Sequence, residues 1–105
     1  MDRMPEDIPH PSLDEIRIER VLHALADPIR LHLVRELARL DTGVACGSID
    51  LPITKSTRTH HLRTLREAGV VTIHPAGTSR ITTLRRADLD TLYPGLLDGI
   101  LNAPH

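Results

Sequence analysis

The chain has 105 residues and a formal net charge of −1, with Tyr93 its one residue among Phe, Trp and Tyr and Cys46 its one cysteine. One small aliphatic domain is expected, near the size at which a lone core only just suffices; base stacking on aromatic platforms, an internal disulfide and a thiolate cluster within one chain are excluded. No stretch approaches ~20 consecutive apolar residues and the N-terminus lacks the apolar centre of a signal peptide, so a soluble, cytoplasmic protein with no membrane partner is predicted.

Residues 1–11 carry Pro5, Pro9 and Pro11 among charges without an apolar period, the composition of a disordered arm. Residues 12–105 are expected to form a single domain. Ser12 and Glu15 open it at capping-box spacing, and Leu13, Ile16, Val21, Leu22 and Leu25 then give a first helix its apolar stripe, ending at Asp27. Asp27 followed by Pro28 restarts the chain, because Asp caps and Pro suits a first helical position whose N–H would be unpaired anyway. The second helix places Ile29, Leu31, Leu33, Val34, Leu37, Ala38 and Leu40 on a broad buried face. Gly43, Gly47 and Pro52 leave room only for a very short helix around residues 45–50. Another helix is predicted over Lys55–Ala68, with Thr54 as N-cap and Gly69 as a left-handed stop. "VVTIH", "PAGT" and "SRITTL" read as strand, turn and strand, after which Asp88 caps "LDTLY" and Pro94 starts a last helical piece. The predicted fold is mainly α with a small β-hairpin: a short helix, a turn, a basic helix and a hairpin make a winged helix-turn-helix. Leu89, Leu92, Leu96, Leu97, Ile100 and Leu101 are too many apolar residues for an exposed tail, which predicts a homodimer joined through the first and last helices.

Charge is unevenly spread. Residues 1–27 carry a net −4 and residues 87–105 a net −3, whereas residues 54–86 hold seven bases against one acid. A near-neutral total therefore hides one basic face. On a helix over residues 55–68, Arg58, His61, Leu62, Leu65 and Ala68 share one side, while Lys55, Ser56, Thr59, His60, Arg63 and Arg66 face away. Four Ser or Thr residues within Thr54–Thr59 are mediocre helix formers, an odd choice for a merely solvated helix start. Short hydroxyl side chains let a helix N-terminus approach the major groove and hydrogen-bond to base edges, and flanking Lys and Arg neutralise phosphate. The pattern is that of a recognition helix for double-stranded DNA.

"HALADPIRLHLVREL" followed by "KSTRTHHLRTLREAGVV" and a short hairpin resembles the ArsR/SmtB family of bacterial winged-helix repressors, over roughly residues 16–101. The tail "LRRADLDTLYPGLLDGIL" is similar to an actinobacterial-looking branch of that family. The resemblance implies a homodimer that binds an imperfect inverted repeat in operator DNA and answers to a metal ion or small-molecule effector. Carried over, it implies DNA contacts at Lys55, Ser56, Thr57, Thr59 and His60, with Arg63 on the same face and Arg80 as a wing base, and burial of Leu62 and Leu65. Arg58 departs from the family pattern, standing where an apolar residue is usual, so its stem must snorkel along the core or its head reach phosphate.

The family's thiolate sensors need two or more cysteines near the second or third helix; Cys46 alone does not supply them and reads as a small buried residue. Of the family's site between the last helices of the dimer, Asp88 and Asp90 match the first half, and no His or Glu falls at the second. His10 in the arm and His105 at the tail complete a candidate N/O ligand set that would suit Ni(II) or Zn(II). A nickel- or zinc-responsive regulator is thus one alternative, and a winged-helix protein–protein adaptor without DNA binding is another. The adaptor should show an acidic or apolar face in place of the basic one. No enzyme is indicated, since the sequence holds neither a Gly-rich phosphate loop nor a nucleophile with its base.

Overall fold

Two short polar side chains set where the central helices begin. The computed structural model describes residues 9–40, 51–77 and 79–104, together with the backbone of Val44 and Ala45; at Ser79 only the backbone is described. Within it, α1 spans Ile18–Leu25 and α2 spans Pro28–Leu40. Asp27 Oδ1 accepts from the amides of Ile29 (2.9 Å) and Arg30 (3.1 Å), so the donors at the start of α2 are satisfied as the Asp-Pro pair predicts. Burial pushes the Asp27 carboxyl up, but the two amides and the charge of Arg30 outweigh that and hold it below the usual value. In α3, Lys55–Ala68, the Thr54 hydroxyl accepts from the Thr57 amide at 3.2 Å. Gly69 ends the helix at φ 87°, letting the Val70 amide close onto the Leu65 carbonyl at 2.9 Å.

The core is aliphatic. Val21, Ala24 and Leu25 of α1 meet Leu33, Val34 and Leu37 of α2 and Leu62, Leu65 and Ala68 of α3, with Val70, Val71 and Ile73 covering one end. β2, Val71–Ala76, and β3, Ser79–Leu84, form an antiparallel hairpin in which Val71 lies opposite Leu84 and Ala76 opposite Ser79. After it, α4 (Arg86–Leu92) and α5 (Leu96–Asn102) return Leu89 and Leu97 to the core. Arg35 of α2 ties down the end of α5 by donating to the Ala103 carbonyl at 3.0 Å. The architecture is a winged helix-turn-helix.

The structure corrects four details. The first helix is not continuous from Ser12: Leu13–Glu15 make a single 3-10 turn, Ile16 and Arg17 are extended, and α1 starts only at Ile18. The cause is tertiary, since Ile16 is drawn inward against Gly69 and its carbonyl accepts from the Tyr93 hydroxyl at 3.3 Å. The very short helix expected around residues 45–50 lies mostly outside the described residues; at its start, Val44–Ala45 is a strand, β1, pairing with Thr82 and Ile81 of β3. The wing is thereby a three-stranded sheet in the order β1-β3-β2. Asp88 does not cap α4; the helix begins at Arg86, and Asp88 sits inside its first turn, paired with Arg85 at 2.9 Å. Finally, the expected arm is not free along its whole length. Residues 1–8 lie outside the described residues, but Pro9–Pro11 rest on the domain: the Pro9 and Pro11 carbonyls accept from Arg66 and Arg85, and the Ile73 amide donates to His10 Nε2 at 3.0 Å.

Gly69 combines both of glycine's freedoms at one position. A Cβ built there would stand 2.5 Å from Ile16 Cγ1, and the backbone is left-handed. Gly69→Ala should cost about 2–4 kcal/mol in urea denaturation, ~1–2 from the left-handed backbone and the rest from overpacking. In an Ile16→Ala background the loss should shrink toward the backbone share alone.

Candidate nucleic-acid interface

α3 presents two chemically different sides. His61, Leu62, Leu65 and Ala68 are buried, whereas Lys55, Ser56, Thr57, Thr59, His60 and Arg63 are exposed, together with Arg80 on β3. The division follows helical spacing, so burying the aliphatic side forces the hydroxyl and basic side outward. The N-terminal turn is preorganised, with the Thr54 hydroxyl donating to Thr57 Oγ1 at 2.9 Å. Thr59 Oγ1 donates to the Lys55 carbonyl at 3.0 Å, which leaves the hydroxyl oxygen as an acceptor. Among the described residues, no carboxylate lies within ion-pair distance of Lys55, Arg63 or Arg80. Lys55 and Arg63, without a carboxylate partner among the described residues, thus bracket the hydroxyl-rich stretch of α3, to whose start the helix dipole adds its positive end. Across the hairpin Arg80 lies opposite Pro75, near the left-handed Gly77 of the turn.

Arg66 leaves this set. Its side chain is only 13% exposed, its guanidinium donates to the Pro9 carbonyl and it lies 3.8 Å from Glu67. Arg58 is half-buried, with its Nε shielded from solvent and without a hydrogen bond among the described residues. The basic face is therefore narrower than helical spacing alone predicts. A residue that the sequence reading passed over also belongs here. Arg30 of α2 is buried and its Nη1 meets His61 Nδ1 at 3.1 Å; the available signal was its place one turn before Leu33 and Val34, on the stripe that faces the core.

No protein-family model matches the chain. Over 87 residues it is 32% identical to the uncharacterized HTH-type transcriptional regulator YceK of Bacillus subtilis, a match covering 81% of this chain and 86% of that protein. The chain belongs to the HTH-type transcriptional regulators. It is also 34% identical over 88 residues to the HTH-type transcriptional regulator Rv2034 of Mycobacterium tuberculosis, covering 77% of this chain and 82% of that one. In this regulator no helix of the described residues is long and apolar enough to cross a membrane.

Among the described residues, the candidate metal ligands His10, Asp88 and Asp90 are not brought together. His10 Nε2 is taken by the Ile73 amide, and the His10 ring sits 5.4 Å from that of His74. Asp88 is paired with Arg85, Asp90 keeps one buried carboxylate oxygen without a hydrogen bond, and His105 and Cys46 lie outside the described residues. Among the described residues no group of three or more His, Cys, Asp or Glu side chains is placed to hold a metal ion.

Because only an exposed cation displaces condensed counterions, Arg63→Gln and Arg80→Gln should each reduce the slope of log K against log salt by about one unit per contact, doubled in a symmetric dimer. Arg66→Gln should leave the slope unchanged. Fluorescence anisotropy on one duplex across a salt series measures all three.

Proposed function

We propose that this regulator is an ArsR/SmtB-type repressor that binds an inverted-repeat operator as a homodimer, with α3 in the major groove and the β2–β3 wing against flanking phosphate. The observation that carries the reading is the exposed side of α3, where Ser56, Thr57, Thr59 and His60 stand between Lys55 and Arg63, with no carboxylate among the described residues paired to either cation. The four polar side chains are assigned to base edges. Lys55, Arg63 and Arg80 are assigned to phosphates, which position the protein without reading sequence. An adaptor that had abandoned DNA would have no use for this face. Repression follows from occupancy of a promoter by the dimer.

Dimerisation is supported by apolar surface that a monomer leaves in water. Leu13, Ile18 and Leu22 are 40%, 38% and 46% exposed, and Leu92, Leu96, Ile100 and Leu101 are only partly covered on α4 and α5. A second copy is the occupant assigned to this surface. Sedimentation velocity at micromolar concentration should give a dimer; a stable monomer rejects the assignment. In gel shifts on DNA upstream of its own coding sequence, Thr59→Ala and His60→Ala should each cost about 1–3 kcal/mol on the operator and leave random DNA nearly unaffected.

A further inference from the structure

Arg30 is an arginine in a place where arginine is expensive. It is 8% exposed, and among the described residues no carboxylate lies within ion-pair distance of its guanidinium. Its head is instead divided between two elements. Nε donates to the Ala24 carbonyl at 2.6 Å and Nη2 to the His23 carbonyl at 3.4 Å, both among the last carbonyls of α1, where the helix dipole is negative. Nη1 crosses to α3 and meets His61 Nδ1 at 3.1 Å. A guanidinium has donors only, so Nδ1 is the acceptor and any ring proton of neutral His61 sits on Nε2. His61 is itself buried, in the middle of α3 and directly after His60.

On the core-facing side of α3, otherwise seated by Leu62, Leu65 and Ala68, this contact is directional, as is the bond from Arg66 to the Pro9 carbonyl near the other end of the helix. Aliphatic packing is non-directional and tolerates small rotations about the helix axis. Base reading does not: on a helix whose side chains reach about 5–6 Å from the axis, a turn of about 20° moves their tips by roughly 2 Å, more than a hydrogen bond allows. We propose that Arg30, acting through His61, is a positioning residue for operator recognition: it pins the rotation of α3 against the end of α1, so that Ser56, Thr57, Thr59 and His60 meet the bases in register. The inference rests on the assignment of α3 as the DNA-reading helix. It makes the "DPIR" stretch a single device, in which Asp27 caps α2, Pro28 starts it, and Arg30 returns to α1 and reaches across to α3.

The test compares operator and random duplexes of equal length at one salt concentration, using variants whose fold is verified by circular dichroism and thermal melting. His61→Leu keeps the bulk and removes the acceptor; Arg30→Lys keeps the charge and loses the fork. Each should weaken operator binding by about tenfold or more, the scale of one lost base contact, and change random-DNA binding by less than about twofold. His61→Asn, whose side-chain oxygen sits near the place of Nδ1, should recover most of the operator affinity. Arg30→Met combined with His61→Leu removes the buried charge altogether and should fold well, yet still lack operator preference. Equal losses on both duplexes, unchanged operator binding, or His61→Asn behaving like His61→Leu would overturn the positioning role while leaving α3 as the reader. Wild-type protein that does not distinguish the operator from random DNA would remove the reading itself and the inference with it.

Discussion

Burial of the aliphatic side of α3 is the constraint on which the other features depend. Leu62, Leu65 and Ala68 fill the space between α1 and α2, and without Phe or Trp that space is closed only by many small contacts. Once that side is fixed inward, helical geometry leaves no choice about the other: Lys55, Ser56, Thr57, Thr59, His60 and Arg63 must face solvent. One residue at each end keeps the helix in register. Thr54 fixes its start, and Gly69 fixes its end by allowing Ile16 to approach the backbone. The core-facing and the solvent-facing residues are two sides of one helix.

The residues from Pro9 to Arg17 act as a belt around this arrangement. Their carbonyls take up two arginines from different elements, Arg66 on α3 and Arg85 before α4, while Ile16 plugs the end of α3 and accepts from Tyr93. Proline contributes to this. Having no N–H, Pro9 and Pro11 favour extended backbone and offer carbonyls to side-chain donors. The belt withdraws Arg66 from the surface, which sharpens the contrast between the hydroxyl-rich front of α3 and its neutralised rear.

Local chemistry made much of this legible in sequence. The Asp27-Pro28 restart, the Thr54 cap, the Gly69 stop and the strand-turn-strand of the hairpin each rest on neighbouring residues, and each is where the pattern puts it. The features that the pattern missed depend on distant partners. Ser12 and Glu15 do meet, the carboxylate accepting from the Ser12 amide at 2.8 Å, yet packing of Ile16 against Gly69 breaks the helix that this cap would begin. A two-residue strand such as β1 has no periodicity of its own and exists only by pairing with β3. Arg66 looks like any other cation on an exposed helix face, because the carbonyl that holds it is 57 positions away. The link between Arg30 and His61 spans 31 positions and leaves only a charged residue on a buried stripe as its trace.

On the proposed reading, the exposed side of α3 meets DNA in the geometry already present in the free protein. Titrating an operator duplex into isotope-labelled protein, and following backbone amide resonances by NMR, tests this most directly. The largest shifts are expected between Thr54 and Arg63 and around Arg80, with the amides of α1 and α5 little changed. Shifts centred on α1 and α5, with residues 54–63 silent, would contradict it.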